Sequence, residues 1–239
     1  MDITNFDWGW LDNIEMIPTE FIKDNTYDIL QYHKKTMYEE IFLQRYYEKF
    51  FEVEQGDIVV DVGSSVGPFT YSILDKKPKH VFCIEPSEIE FKTLVKNTIG
   101  YPVTQINKGI SNHIGLIDTD YVFGTQKTMD SITFEKFRKL YGIDKIDFLK
   151  TDCEGGEYNI FCESNLEFIF TNVKKISGEW HLSSDEEKIN FRKFRDNVLS
   201  KFSKYHILSV DGIDIKWDLW NEHFIEYYKQ VLIFIDNRN

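Results

Sequence analysis

The sequence predicts an α/β fold in which a mostly parallel sheet carries helices on both faces. Two observations predict it. Short β-branched apolar runs recur along the chain with helical patterns between them, the alternation that builds a parallel sheet. One such run, Asp57-Ile-Val-Val-Asp-Val62, passes through Gly63 and Gly67 into Pro68-Phe-Thr-Tyr-Ser-Ile-Leu74, which reads as a strand, a tight turn and a proline-opened helix. The chain has 239 residues, 42% apolar and 28% charged, enough for one full core, and no repeat, low-complexity tract or linker divides it.

Taken in order, residues 1–34 are irregular and aromatic (Phe6, Trp8, Trp10, Phe21, Tyr27, Tyr32) and read as a cap or lid, residues 1–35, ahead of a single domain over 36–239. A helix is expected from Thr36 to Phe51, where Met37/Tyr38, Ile41/Phe42, Tyr46 and Phe50 recur near the helical period, and Glu54-Gln-Gly56 stops it. Strands are expected at 57–62, 80–85, 102–107, 146–151, 173–180, 205–211 and 230–236. Between them, residues 87–97 form a helix with Ser87 as N-cap and Glu90 completing a capping box. Residues 184–203 form another, with Ile189, Phe191, Phe194, Val198 and Phe202 on its apolar face.

The chemistry concentrates at strand ends. In the turn Asp61-Val-Gly-Ser-Ser-Val-Gly67, glycine lets backbone approach a ligand and the following helix offers free N–H groups to an anionic group, although a plain connecting turn has the same composition. Strand two ends Ile84-Glu85-Pro86-Ser87. An acid there, about 20 residues after the glycine turn, is placed to accept hydrogen bonds from ribose hydroxyls, and it could equally serve as a helix-start carboxylate beside Ser87. Strand four runs into Lys150-Thr-Asp-Cys-Glu-Gly-Gly-Glu157, which crowds Asp152, Glu154 and Glu157 into one glycine turn. Crowded carboxylates raise one another's pKa or recruit a cation. Strand five ends Ser177-Gly-Glu-Trp-His181, with Glu179 and His181 on one face and histidine the side chain most readily poised as a base near neutrality. A structural role for either is the simpler reading of each alone.

These segments together resemble the FkbM-type methyltransferase family, from about Tyr47 to Leu182. The resemblance rests on Gly56-Asp-Ile-Val-Val-Asp-Val-Gly-Ser-Ser-Val-Gly67, Ile84-Glu-Pro86, Thr128-Met-Asp-Ser131, Ile146-Asp-Phe-Leu-Lys-Thr-Asp-Cys-Glu-Gly-Gly-Glu-Tyr158 and the Glu-x-His at 179–181. The family typically reads D-x-E-G-x-E in the acidic segment, as this chain does; the family's usual alanine before the last Glu is Gly156 here. The resemblance implies a Rossmann-like class I methyltransferase fold with seven strands, the last antiparallel. It implies S-adenosyl-L-methionine (SAM) as cofactor, held by Asp61, Gly63, Ser64, Ser65, Gly67, Glu85, Pro86 and Ser87, and O-methylation of a small or sugar-like hydroxyl.

Methyl transfer from a sulfonium needs mainly positioning, while a hydroxyl acceptor needs help in losing its proton. Asp152, Glu154, Glu179 and His181 form the polar cluster for that task. Oxygen-rich donors suit a hard cation, Mg2+ or Mn2+, which the sequence admits and does not demand. A SAM- or sugar-binding module without turnover is the alternative. The formal net charge of -12 and pI near 5.0 argue against nucleic-acid and anionic-membrane partners. The missing [DN]-P-P-[YFW] argues against base methylation, and the missing G-x-G-x-x-G against a dinucleotide. Three cysteines without a C-x-x-C pair, no basic leader and no apolar run near 20 residues point to the cytoplasm. Trp8, Trp10, Trp180, Trp217 and Trp220 could stack on a sugar but fit core or lid packing better. A second copy of the chain, as a homodimer, is the other surface that residues 1–34 could cover.

Overall fold

The computed structural model describes residues 3–13, 26–118 and 128–238. Its elements run α1 (Thr26–Met37), β1 (Ile58–Val62), α2 (Pro68–Ile73), β2 (His80–Ile84), α3 (Glu88–Thr98), β3 (Val103–Ile106), β4 (Gly109–Ile110), β5 (Gly115–Asp118), β6 (Thr128–Ile132), α4 (Phe134–Tyr141), β7 (Ile146–Thr151), α5 (Glu157–Ile160), α6 (Glu163–Asn172), β8 (Val173–His181), α7 (Asp185–Asn197), β9 (Tyr205–Leu208), α8 (Glu222–Ile225) and β10 (Gln230–Asp236).

Seven strands form the main sheet in the order β3-β2-β1-β7-β8-β10-β9. The pairs β2–β3, β1–β2, β1–β7 and β7–β8 are parallel, and β10 lies antiparallel between β8 and β9. The sheet buries both faces, as parallel sheets must. Along β10, Val231, Ile233 and Ile235 join the core beneath α4, α6 and α7, while Leu232 and Phe234 join the core beneath α2 and α3. The same alternation splits Val60 and Val62 from Val59 in β1, and Leu149 from Phe148 in β7. The strands end on one edge in register, with Val62 opposite both Ile84 and Thr151, so the three glycine- or acid-bearing turns that follow meet there.

Three expectations change. The helix over Thr36–Phe51 is instead α1, starting at Thr26, followed by a wider helical turn over Tyr38–Leu43 and a single tight turn over Tyr46–Glu48. The break falls at Arg45, which is left-handed at φ 51°. Buried Glu48 dictates it: its carboxylate takes the Val53 N–H (2.8 Å), Lys76 Nζ (2.7 Å) and Arg45 (2.8 Å), which bends the chain away from the helical path. The helix over 184–203 ends at Asn197, and the strand over 205–211 ends at Leu208 in a turn where Ser209 and Gly212 are hydrogen-bonded. A small second sheet, β4-β6-β5, was not anticipated.

Residues 3–13 are not free-standing. Phe6, Trp8, Trp10 and Leu11 pack with Leu30, Val66, Tyr71 and Leu74. Asn97 accepts the Asp7 N–H and donates to the carbonyls of Asp7 and Val66, all at 2.8 Å, tying the segment to α3 and to the glycine turn. Phe21 lies outside the described residues. Trp180 is fully buried, but Trp217 and Trp220 are exposed rather than packed in the core. No described helix is long and apolar enough to cross a membrane.

Candidate active site

The first turn is built on a buried ion pair. Asp61, fully buried, holds Lys150 Nζ at 3.1 Å and accepts from Thr70 Oγ1 at 2.8 Å. Lys150 Nζ also donates to the Gly63 carbonyl at 2.6 Å and sits 5.1 Å above the Tyr47 ring. Burial alone would lower the Lys150 pKa; Asp61 and Asp152 more than offset it, and the net shift is upward. Ser64 pins the turn between strands, donating to the Asp61 carbonyl (2.8 Å) and accepting the Ile84 N–H (3.1 Å). Ser65 is left-handed at φ 49°.

Both glycines are required by backbone, and Gly63 by packing as well. Gly63 has φ +74°, and a Cβ there would lie 1.6 Å from the Asp152 carbonyl oxygen. Gly67 has φ +90°, and its Cβ would lie 2.8 Å from Leu94 Cδ1. Their bare faces therefore meet the acidic turn and α3.

Glu85, 5% exposed, clamps this turn. One carboxylate oxygen accepts the Ser65 N–H and the other the Ser87 N–H, both at 2.8 Å. Each oxygen keeps a second lone-pair site beyond these two bonds. Burial, then the neighbouring Glu90, push the Glu85 pKa well up, against the pull of those two N–H groups and Lys150. Ser87 caps α3 by accepting the Glu90 N–H, but the second arm of the expected capping box is redirected, because Glu90 takes the Ser65 hydroxyl at 2.9 Å. Pro86 is half-buried, and Asn107 Nδ2 holds the carbonyls of Glu85 (2.9 Å) and Pro86 (3.1 Å).

The second turn faces the first. His181, 4% exposed, is oriented by Glu157, which accepts the His181 backbone N–H at 2.6 Å and lies 3.0 Å from its Nδ1. His181 Nε2 then points at Glu154 (3.5 Å), Asp152 (3.8 Å) and Glu179 (4.0 Å). Asp152 accepts from the Tyr47 hydroxyl at 2.6 Å, and Glu179 from Gln230 Nε2 at 2.9 Å. Four acids and a histidine thus gather at the ends of β7 and β8. Of the expected set, Glu154 stands apart: its side chain is 76% exposed, carried on a left-handed residue at the rim.

Crowding shapes the charges. Burial, then Asp152, push Glu179 up to about 8. Burial, then Asp152, push Glu40 up to about 7. For His181, burial acts downward, but the hydrogen-bonded Glu157, then Asp152 and Glu154, win and carry it to about 10. The carboxylates around the side chain expected to be a base near neutrality therefore favour its protonated form.

Sequence reasoning missed Glu157 as the orienting group, together with Lys150, Tyr47, Glu40, Glu90 and Gln230. A signal existed for Lys150, since a lysine inside a strand buried on both faces demands a buried anion. Nothing local singled out Gln230.

A methyltransferase FkbM domain family model matches residues 61–206, from the buried Asp61 through both turns and beyond. The chain belongs to that family. No curated protein matches the sequence. Solved structures similar in chain course include a proposed rRNA-methylase from Clostridium thermocellum (13% identity, 90% of this chain and 98% of that one, TM-score 0.47). A proposed O-methyltransferase from Klebsiella pneumoniae (10%, 95% and 87%, 0.47) and Aeropyrum pernix fibrillarin with natively bound SAM (11%, 76% and 67%, 0.45) are others. The FkbM family has the class I, SAM-dependent methyltransferase fold, and the seven-stranded sheet with its antiparallel β10 agrees with it.

Proposed function

We propose that the protein is a SAM-dependent O-methyltransferase acting on a hydroxyl of a sugar or another small metabolite. The observation that carries this is the convergence of Asp152, Glu179 and His181 beside the Gly63 turn, with one ligand atom of each within 4.8 Å of the others. In the reaction, the acceptor oxygen bonds to the methyl carbon as the carbon–sulfur bond breaks. S-adenosylhomocysteine leaves, and the hydroxyl proton passes to the cluster. SAM is assigned to the turn of Asp61, Gly63, Ser64, Ser65 and Gly67 and to Glu85, Pro86 and Ser87. Asp61, Ser64 and Gly67 shape the turn, and the Glu85 carboxylate reads the ribose. Asp152, Glu179 and His181 receive the acceptor, with Glu154 at the rim. Residues 1–35 are assigned as a cap to the domain over 36–239. The net charge of -12 favours a small acceptor over a nucleic acid, and free thiols at Cys83, Cys153 and Cys162 suit the cytoplasm.

The test is a screen of sugars and nucleotide sugars with SAM, read as S-adenosylhomocysteine formed. Asp152→Asn and His181→Ala should each lower turnover by roughly 10²-fold or more while leaving SAM binding intact. Glu85→Ala should weaken SAM binding by about 1–3 kcal/mol in calorimetry. Full turnover in both cluster variants would sink the catalytic assignment, and unchanged affinity in Glu85→Ala the ribose assignment. Tight SAM binding with no acceptor methylated would leave a binding module without turnover.

A further inference from the structure

We propose that Asp152, Glu179 and His181 form a site for a divalent first-row transition-metal ion of the Mn2+ type, with Glu157 as the positioning residue. The binding of the ion stands on geometry alone; its part in methyl transfer rests on the reading above.

Three features carry the site. The ligand atoms form a compact triangle: Nε2 of His181 lies 3.8 Å from Asp152 Oδ1 and 4.0 Å from Glu179 Oε2, and the whole set falls within 4.8 Å. A centre about 2.1–2.2 Å from each atom, the usual metal–ligand distance, lies within small rotamer adjustments of this triangle. Next, the imidazole nitrogen is buried and aimed into the cluster. His181 is 4% exposed, and the carboxylate oxygens before Nε2 stand at 3.5–4.0 Å, beyond the ordinary N–H···O range.

The third feature is that every ligand has an outer partner that fixes it. Glu157, fully buried, engages His181 Nδ1 at 3.0 Å and so presents Nε2 to the centre. This is the carboxylate–histidine arrangement that metal-ligating imidazoles use. The Tyr47 hydroxyl holds Asp152 Oδ2, leaving Oδ1 facing His181, and Gln230 holds Glu179. The nearby Lys150 gives its hydrogen bonds to Asp61 and the Gly63 carbonyl and acts on Asp152 through space.

The donor set selects the metal. Imidazole with two carboxylates suits Mn2+ and its neighbours, whereas Mg2+ prefers oxygen alone and holds its water. An ion bound by three protein groups keeps positions open for water or for the acceptor oxygen, whose proton it would make easier to lose.

The experiment uses the full chain stripped with EDTA and dialysed. Mn2+ is titrated in, and the free-ion electron paramagnetic resonance signal is followed. A single saturable Mn2+ per chain is expected. Binding should be lost in Asp152→Asn and His181→Gln, weakened about 10–100-fold in Glu157→Gln, and unchanged in Glu88→Gln, a surface control. Calorimetry with SAM on each variant confirms that the fold persists. Absence of saturable binding at millimolar Mn2+ overturns the site, as does equal binding in Asp152→Asn and His181→Gln. Displacement of Mn2+ by an equal concentration of Mg2+ overturns the nitrogen-donor argument and with it the metal type. Saturable Mn2+ binding without any methylated acceptor supports the site and removes the methyl-transfer reading instead.

Discussion

Replacing Lys150 with methionine leaves Asp61 as an uncompensated carboxylate in the centre of the sheet. Lys150 and Asp61 are both almost fully buried, 3.1 Å apart, and after the change the carboxylate keeps the Thr70 hydroxyl but no counter-charge from Lys150. Breaking one side of a buried pair costs about 3–5 kcal/mol, because the remaining charge stays desolvated. The Gly63 carbonyl loses its 2.6 Å donor as well. For a domain of this size, at ~2–4 °C per kcal/mol, the melting temperature should fall by roughly 10 °C. Asp61→Asn in the same background removes the stranded charge, so the double variant should recover part of the loss. The assay is a double-mutant cycle by urea denaturation at neutral pH, with coupling of about 2 kcal/mol or more expected. If the two single losses add to within about 0.5 kcal/mol, the pair does not hold the turn and the reasoning fails.

Two further outcomes follow from the same geometry. Gly63→Ala and Gly56→Ala both place a Cβ at positive φ, but only the first meets backbone, at 1.6 Å against nothing within 4 Å for the second. Gly56→Ala should cost about 1–2 kcal/mol and Gly63→Ala several more, and equal melting temperatures for the two would contradict the close approach of the turns. Asp147 is held down to about 2: burial pushes upward, but Lys174, the Ile58 N–H and Lys145 pull further down. Its stabilising contribution is present above the unfolded value near 4 and is lost as pH falls from there towards 2. Asp147→Asn should flatten the acid limb of melting temperature against pH in that window, and parallel curves for variant and parent would exclude this account.

How much of this was legible in the sequence depends on how local each determinant is. The central strands were readable because they are apolar runs whose side chains are buried on both faces, as at Ile58–Val62 and Gln230–Asp236. The small second sheet was not, since Gly109–Ile110 is too short to show a period and β6 alternates exposed Thr128 and Asp130 with buried Met129 and Ser131. The helix expected over 36–51 failed on a single buried polar group: aromatic spacing continues through Tyr46 and Phe50, while Glu48 collects three donors that only a bent chain can supply. At the site, the acidic turn and the Glu-x-His pair were visible as motifs. Which acid turns inward was not, because Glu157 is chosen by the position of His181 on the neighbouring strand.

The place of β10 between β8 and β9 bears on the order in which the molecule assembles. The glycine turn and Glu85 belong to β1, β2 and the helices between them, a stretch with short loops that can form early. The acidic site belongs to β7 and β8, and β8 gains its second edge only from a strand near the far end of the chain. In that register Gln230 lies opposite His181 and supplies the hydrogen bond to Glu179. Closing this pairing spans more than forty residues and carries the slow kinetics of non-local contacts. The half that carries the Gly63 turn and Glu85 can therefore form first, while the half that carries Asp152, Glu179 and His181 waits for β10.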